Sequence, residues 1–110
     1  MKQSELNEFC RLYFNQYKTK YHNAIKHDPG TSKEHRKLVA EICEWAIQNK
    51  YDFYTRVFLK EGKIVDIIIP ALLKPFIEIR SSEEKKDKKY LAKYKDMITF
   101  VDCSDPFKLI

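Results

Sequence analysis

Two apolar stretches, Ile64-Val65-Asp66-Ile67-Ile68-Ile69 and Pro75-Phe76-Ile77-Glu78-Ile79-Arg80, decide the fold of this chain. Both are rich in branched aliphatic residues, which is typical of buried β-strands. Each stretch has a carboxylate inside it, and burying a carboxylate is costly unless it is paired or binds a cation. Two such strands beside each other therefore predict a site for a metal ion or a phosphate group.

Further elements are predicted on both sides of these strands. Residues 4 to about 27 carry apolar side chains at three- and four-residue steps and predict a long amphipathic helix. Asp28-Pro29-Gly30 ends it, and a second helix is predicted from 31 to about 49, with Thr31-x-x-Glu34 as its capping box. The remaining predictions are strands at 52–59, 63–69 and 76–80, a third helix from 81 to about 95, and a last strand at 97–101.

The predicted order is thus α-α-β-β-β-α-β. Lys60-Glu61-Gly62 is a short turn that makes a hairpin of the first two strands. A hairpin, a third strand and a helix that crosses to a fourth strand predict a small mixed sheet with helices on its faces, an α/β (α+β) architecture. With 110 residues the chain is predicted to be one domain around one core, residues 1–110.

Composition narrows the class of protein. The formal net charge of +5 favours a polyanionic partner. No apolar run reaches the roughly 20 residues of a membrane span, and no signal-peptide stretch follows Met1, so a cytoplasmic protein is expected. Cys10, Cys43 and Cys103 are odd in number and far apart, which fits a reducing compartment. The scarcity of glycine, together with much Lys, Glu, Ile and Tyr, suggests a thermophilic source.

Strand geometry suggests what the two carboxylates do. Side chains alternate across a strand, so Glu78 and Arg80 point to one face while Ile77 and Ile79 point to the other. Asp66 on the preceding strand can lie opposite Glu78. Two carboxylates converging on one point repel each other unless a cation or proton lies between them, and oxygen ligands suit Mg²⁺ or Mn²⁺. Such a metal ion can activate water for attack on a phosphodiester.

Residues 31–102 resemble the core of the PD-(D/E)XK nuclease superfamily, which includes restriction endonucleases and archaeal Holliday junction resolvases. That core is a helix, a β-meander, a helix and a strand, the order predicted here. Its motif places Asp on the second strand and (Asp/Glu)-x-Lys on the third, matched by Val65-Asp66 and Glu78-Ile79-Arg80. Two positions depart from the motif: Val65 replaces Pro, and Arg80 replaces Lys with a broader, planar cation.

The resemblance implies a metal-dependent DNA nuclease with a restriction endonuclease-like fold. Asp66 and Glu78 would hold Mg²⁺ or Mn²⁺, and Arg80 would contact the phosphate or the attacking water. An acidic residue on the helix before the sheet is common in the family, and Glu34 is the best match, with Glu41 second. Residues 1–30 would be an added N-terminal helix, expected to pair two copies into a homodimer that covers a duplex.

Each of these residues also has a simpler interpretation. Asp66 could form an ion pair with Lys63 or Arg56, Glu78 and Arg80 could pair with each other, and a capping role alone explains Glu34. His35 is interpreted as a packed histidine with no ligand role. Because the third helix follows the motif, its lysines predict a surface that binds nucleic-acid phosphates, although a solvated face explains them equally. The nucleic-acid-binding residues predicted on this helix are Lys85, Lys86, Lys89 and Lys93.

Two rival functions remain at this level. In the first, the fold is retained but Arg80 marks the loss of catalysis, leaving a module that binds DNA. In the second, the aromatic N-terminal helix docks a protein partner and the net charge is incidental. Dependence on Mg²⁺ distinguishes the nuclease from the binding module, and DNA affinity no greater than the net charge explains would favour the interaction domain.

Overall fold

The computed structural model describes residues 1–18, 21–80 and 93–103. They form helices packed against one four-stranded mixed sheet, so the predicted mixed fold class is confirmed. The elements are α1 (Gln3–Tyr13), α2 (Lys33–Gln48), β1 (Tyr54–Phe58), β2 (Ile64–Ile68), β3 (Phe76–Arg80) and β4 (Ile98–Asp102). The third helix predicted from 81 to about 95 lies outside the described residues except at its end, where Lys93 and Tyr94 are helical.

The sheet has the order β1-β2-β3-β4. The first three strands form an antiparallel meander, and β4 is parallel to β3. The turn between β1 and β2 contains Gly62 at φ 91°, where a residue without a Cβ is least strained, and its N–H donates to the Leu59 carbonyl at 3.0 Å. The hairpin predicted at this turn is therefore confirmed.

Each face of the sheet is covered by one of the helices. The cluster on the α1 side consists of Leu6, Phe14, Tyr54, Val57, Leu59, Val65, Ile68, Phe76, Tyr94 and Ile98. The cluster on the α2 side consists of Leu38, Val39, Ile42, Cys43, Ala46, Phe53, Ile67, Ile69, Ile77 and Ile79. Burial raises the pKa of the Cys43 thiol to about 12, so this cysteine is an inert part of the core. Within the described ranges, no helix is long and apolar enough to cross a membrane.

The first helix is shorter than predicted. It ends at Tyr13, and Phe14 is extended, buried and bridged to Leu59. The N–H of Asn15 then donates to the Phe58 carbonyl at 2.8 Å, and the N–H of Lys60 to the Tyr13 carbonyl at 3.2 Å. Pairing with the hairpin thus takes the place of further helical turns, although the apolar spacing continues beyond residue 13.

Residues 21–28, which we call the edge segment, run along the free side of β1 instead of continuing the helix. The N–H of Thr55 donates to the Tyr21 carbonyl at 3.2 Å, and that of Asn23 to the Phe53 carbonyl at 2.7 Å. The Thr55 hydroxyl accepts from the main-chain N–H of Lys26 at 2.9 Å and donates to the Ala24 carbonyl at 2.6 Å. These bonds satisfy main-chain groups that an edge strand otherwise leaves unpaired.

Side chains fix the start of the edge segment as well. The His22 ring stacks on Tyr54 with centroids 4.5 Å apart, and its Nε2 lies 2.9 Å from Oδ1 of Asp52. Burial raises the pKa of the Asp52 carboxyl, but hydrogen bonds from His22 and Asn23 outweigh that effect, so the pKa lies below its ordinary value. Asp52 therefore stays ionised and holds the segment to the sheet.

Thr55→Val is expected to lower the free energy of unfolding by about 1–3 kcal/mol. Valine has nearly the shape of threonine, but it can neither accept from Lys26 nor donate to Ala24, so two main-chain groups lose their partner. Urea denaturation measures the effect. Thr99→Val, at a half-buried position of β4, is the matched control and should cost less than about 0.5 kcal/mol. Equal losses in the two variants would contradict the role assigned to the Thr55 hydroxyl.

Candidate active site

Asp66 of β2 and Glu78 of β3 meet where the ladder between their strands ends. The register pairs Ile68 with Phe76 and Ile67 with Ile77, and one further step places Asp66 opposite Glu78. At this step the side chains replace main-chain carbonyls as acceptors. The N–H of Asp66 donates to Oε1 of Glu78 at 3.3 Å, and the N–H of Ile79 donates to Oδ2 of Asp66 at 2.8 Å. The structure therefore places the two predicted carboxylates at facing positions of neighbouring strands, each bonded to the main chain beside the other.

The regular alternation of side chains breaks at Asp66. Val65 and Ile68 both lie in the cluster on the α1 side, although strict alternation would place them on opposite faces. The same holds for Tyr54 and Val57 on β1, around Arg56, whose φ of 47° lies in the left-handed region that side chains rarely adopt. The break frees the Asp66 side chain from the α1 face and allows it to approach α2.

His35 is the residue of α2 that contacts Asp66. Its Nε2 lies 3.4 Å from Oδ1 of Asp66, and its side chain is only 11% exposed. Sequence reasoning gave His35 no site role. The available signal was its place one helical turn before Leu38 and Val39, on the stripe that faces the sheet. Extending that stripe towards the N-terminus of α2 places His35 on the helix face that packs against the strands.

The start of α2 differs from its prediction. Ser32, rather than Thr31, is the N-cap, and its Oγ accepts from the main-chain N–H of His35 at 3.1 Å. The Thr31 hydroxyl is used elsewhere, because it donates to the Asp28 carbonyl at 2.6 Å. The prediction that Thr31 and Glu34 form the capping box of this helix is therefore wrong. Glu34 and Glu41 are both exposed, and His35 is the first-turn residue placed against Asp66.

Arg80 ends β3 on the same face as Glu78, as predicted from alternation. The carbon at the centre of its guanidinium lies 5.0 Å from the ring centroid of Phe100, which is the register partner of Glu78 on β4. The side chain is exposed, so the stacking positions the cation while its N–H groups face solvent. This arrangement leaves the guanidinium accessible to a phosphate group.

Of the four lysines predicted to bind nucleic acid, Lys85, Lys86 and Lys89 lie outside the described residues. Lys93 is exposed, with its Nζ 3.6 Å from Oε2 of Glu61 and 5.3 Å from the ring centroid of Tyr94. The Tyr94 ring packs in the α1-side cluster, and burial, followed by a hydrogen bond with Glu61, raises the pKa of its hydroxyl. The burial of Tyr94 thus anchors this part of the chain, and the adjacent Lys93 remains at the surface.

A small pocket of about 50 Å³ opens beside Asp66. We call it the Asp66 pocket. Its walls come from the edge segment, the start of α2 and the kinked part of β1 and β2: Lys26, His27, Asp28, Thr31, His35, Val39, Arg56, Ile64 and Asp66. The contribution of the edge segment could not be foreseen, because the sequence pattern predicted a helix there.

Comparisons with protein-family models, curated proteins and solved structures found no match. The resemblance drawn from the sequence therefore rests on this chain's own residues.

The donor set at Asp66 and Glu78 suits a hard divalent cation. In the part of the chain that the structure describes, no three histidine, cysteine or carboxylate side chains form a group able to hold a metal ion. Mg²⁺ does not need such a group, because it commonly binds through one or two carboxylates and takes its other ligands from water and substrate phosphates. Each carboxylate oxygen can accept more than one bond, so the main-chain bonds do not exhaust Asp66 and Glu78.

Proposed function

We propose that this chain is a metal-dependent nuclease-like protein that hydrolyses DNA phosphodiester bonds. The observation that carries the proposal is the meeting of Asp66 and Glu78 at the end of the β2–β3 ladder, each bonded to the main chain of the other strand. Each carboxylate is thereby tied to the main chain of the neighbouring strand, in two strands whose other residues, apart from Arg80, are apolar. Fixed ligands on a rigid element are what a catalytic metal site requires.

In this proposal Asp66 and Glu78 hold Mg²⁺ or Mn²⁺. The metal, when bound, would lower the pKa of a water ligand and offset charge on the phosphate. Helix α2 contributes through His35, because that side chain lies against Asp66 while Glu34 beside it is exposed. His35, Asp66 and Glu78 do not form a group of three able to hold a metal ion, so His35 is proposed to orient Asp66 rather than to bind the metal.

Arg80 takes the position of the usual motif lysine and binds phosphate. Its planar guanidinium offers two parallel N–H groups to two phosphate oxygens, which an ammonium group does not. Stacking on Phe100 restricts the side chain, so less conformational freedom is lost when phosphate binds. Activation of the attacking water then depends on the metal and its carboxylates rather than on a lysine.

The sheet order supports the proposal independently of single residues. An antiparallel meander followed by a parallel strand is the arrangement expected from the resemblance, and the paired carboxylates lie on its second and third strands. The proposal also includes a homodimer that covers a DNA duplex. Helix α1 uses Leu6, Phe9 and Tyr13 in the core, so the exposed part of the helix, including Leu12, is what remains for pairing.

The second candidate is a DNA-binding module with the same fold and no catalysis. It is favoured by the use of both carboxylates as acceptors for main-chain N–H groups, which gives them a structural role without a metal. The arginine at position 80 fits this candidate as well, since it binds phosphate regardless of chemistry.

Glu78→Gln is expected to abolish metal-dependent cleavage while the protein still folds. Glutamine keeps an oxygen that accepts from the Asp66 N–H, but it removes the charge that a divalent cation needs. The assay uses end-labelled duplex, single-stranded and four-way-junction DNA, with Mg²⁺ or Mn²⁺ against EDTA. Glu44→Gln, at an exposed position of α2, is the matched control and should cleave like the wild type.

The outcomes separate the two candidates. Cleavage that requires metal and is lost only in Glu78→Gln supports the nuclease. DNA binding without cleavage by the wild type on all substrates, unchanged by EDTA, supports the binding module and contradicts the nuclease.

A further inference from the structure

The Asp66 pocket is a second polar site next to the paired carboxylates, and its walls include residues that the proposed chemistry does not use. We propose that it binds a phosphate group of the nucleic-acid backbone, next to the phosphate at the carboxylates, through Arg56, Lys26 and His27. The choice of nucleic acid as the source of the phosphate rests on the proposed function. The size of the pocket and the nitrogens in its wall favour an oxyanion.

The size of the pocket limits its ligand. A volume of about 50 Å³ corresponds to roughly three to five water molecules, given about 10–15 Å³ for each water. A phosphate group has five heavy atoms and fits that space, whereas a nucleobase or a sugar does not. The pocket is therefore matched to a small tetrahedral ion or to one group of a larger ligand.

The buried nitrogens in the wall include two that lack a hydrogen-bond partner and that the proposed chemistry does not use. These two are Nε of Arg56 and Nδ1 of His27, and both residues line the pocket. The guanidinium is always charged, so its Nε always carries a hydrogen that needs an acceptor. A buried donor without an acceptor is rare in folded proteins and calls for a specific explanation. A phosphate oxygen in the pocket would supply the acceptor once the Arg56 side chain turns its Nε towards it.

Arg56 is held in an unfavourable backbone conformation at this point. Its φ of 47° is in the left-handed region, and arginine has no local side-chain hydrogen bond that favours it there. Residues in such conformations cluster at functional sites, where the surrounding structure enforces them. Here the conformation coincides with the break in alternation at Asp66, and both residues lie in the wall of the same pocket.

The edge segment completes the pocket with a second cation. The main-chain N–H of Lys26 is fixed by the Thr55 hydroxyl at 2.9 Å, so the backbone of Lys26 and His27 is held at the pocket, while the Lys26 Nζ lies 5.9 Å from the ring centroid of Tyr21. The carboxylates of Asp66 and Asp28 oppose these cations in the wall, and Asp28 is already hydrogen-bonded. Its Oδ1 accepts from the Gly30 N–H at 2.9 Å, and its Oδ2 is 4.0 Å from the Arg56 guanidinium, a separation too long for a strong hydrogen bond. The guanidinium of Arg56 can therefore still donate a hydrogen bond to another acceptor.

The test measures binding without cleavage. Fluorescence anisotropy in EDTA gives the affinity for a labelled DNA duplex at several salt concentrations, for the wild type, Arg56→Gln and Lys26→Gln. Each variant should bind about tenfold more weakly at low salt. Each should also reduce the slope of log K against log salt by about 0.9, the value for one phosphate contact. Lys37→Gln, exposed on α2, is the control for the loss of one positive charge.

Further arms identify the source of the phosphate and keep the test decisive. Duplexes with and without a 5′-phosphate distinguish a terminal group from a backbone group, and we expect equal effects of the variants on both. Effects confined to the 5′-phosphorylated duplex would overturn the assignment to the backbone. Lys26→Gln keeps the test falsifiable if the strained position 56 does not tolerate glutamine. Slopes like that of Lys37→Gln in both variants would overturn the pocket as a phosphate site.

This result is independent of catalysis. Reduced slopes in a protein that never cleaves DNA would support the phosphate site and contradict the nuclease. Metal-dependent cleavage with unchanged slopes would support the nuclease and contradict the phosphate site.

Discussion

Asp66→Asn is expected to reduce metal-dependent DNA cleavage by about a hundredfold or more. Loss of a group that merely supports a metal ligand costs about 10–100-fold in affinity or activity, and Asp66 is proposed as a ligand itself. The amide oxygen of asparagine can still accept the N–H of Ile79, which Oδ2 of Asp66 accepts at 2.8 Å. The free energy of unfolding of the variant should therefore lie within about 1 kcal/mol of the wild-type value. Initial cleavage rates and thermal melts measure the two quantities on the same preparation.

The matched control for this prediction is Asp96→Asn, an exposed aspartate on the segment before β4. It changes the net charge equally and should retain the wild-type rate. Raising the Mg²⁺ concentration should partly restore Asp66→Asn, because a lost ligand weakens metal binding rather than removing the whole site. A variant that cleaves at the wild-type rate at every metal concentration would exclude Asp66 from the site.

Phe76→Ala is expected to lower the free energy of unfolding by about 3–5 kcal/mol. Phe76 is fully buried at the start of β3, and its ring centroid lies 5.2 Å from that of Tyr94 and 5.7 Å from that of Tyr13. It therefore joins α1, the sheet and the segment that precedes β4 in one aromatic group. Its removal leaves a cavity that the strand cannot close. For a domain of this size each kcal/mol shifts the melting temperature by roughly 4–8 °C, so a melt resolves the effect easily.

Two further variants provide reference values for the loss of stability. Phe76→Leu keeps most of the buried volume and should cost clearly less than alanine. Leu73→Ala, at a side chain that is 98% exposed, should change the stability by less than about 0.5 kcal/mol. A cost for Phe76→Ala close to that of Leu73→Ala would show that the aromatic group does not hold α1 to the sheet.

The sheet could be predicted because its strands are marked by composition and by turns. The third strand was predicted at 76–80 and lies at Phe76–Arg80, and the second was predicted at 63–69 and lies at Ile64–Ile68. Branched aliphatic runs bounded by glycine or proline have few alternatives to a buried strand. The cross-strand position of Asp66 and Glu78 then follows from the meander alone.

The edge segment could not be predicted, because its structure depends on partners distant in sequence. Tyr17 and Tyr21 continue the helical spacing of α1, yet Tyr17 is 94% exposed and Tyr21 is extended beside β1. Pairing with a strand about 30 residues later decided the conformation, and local periodicity carries no information about that pairing. The Asp66 pocket was missed for the same reason.

The bonds that Asp66 and Glu78 make to the main chain have a consequence for evolution. Each carboxylate completes the hydrogen bonding of the neighbouring strand, so the architecture alone constrains the two positions, and the proposed chemistry would add a second constraint. A related chain without the proposed activity would still be destabilised by the loss of either side chain. Retention of the two carboxylates in related chains would therefore be explained by their structural role in the sheet. Replacement by asparagine or glutamine, which preserves the acceptor, is the first change expected in a homologue without the proposed activity.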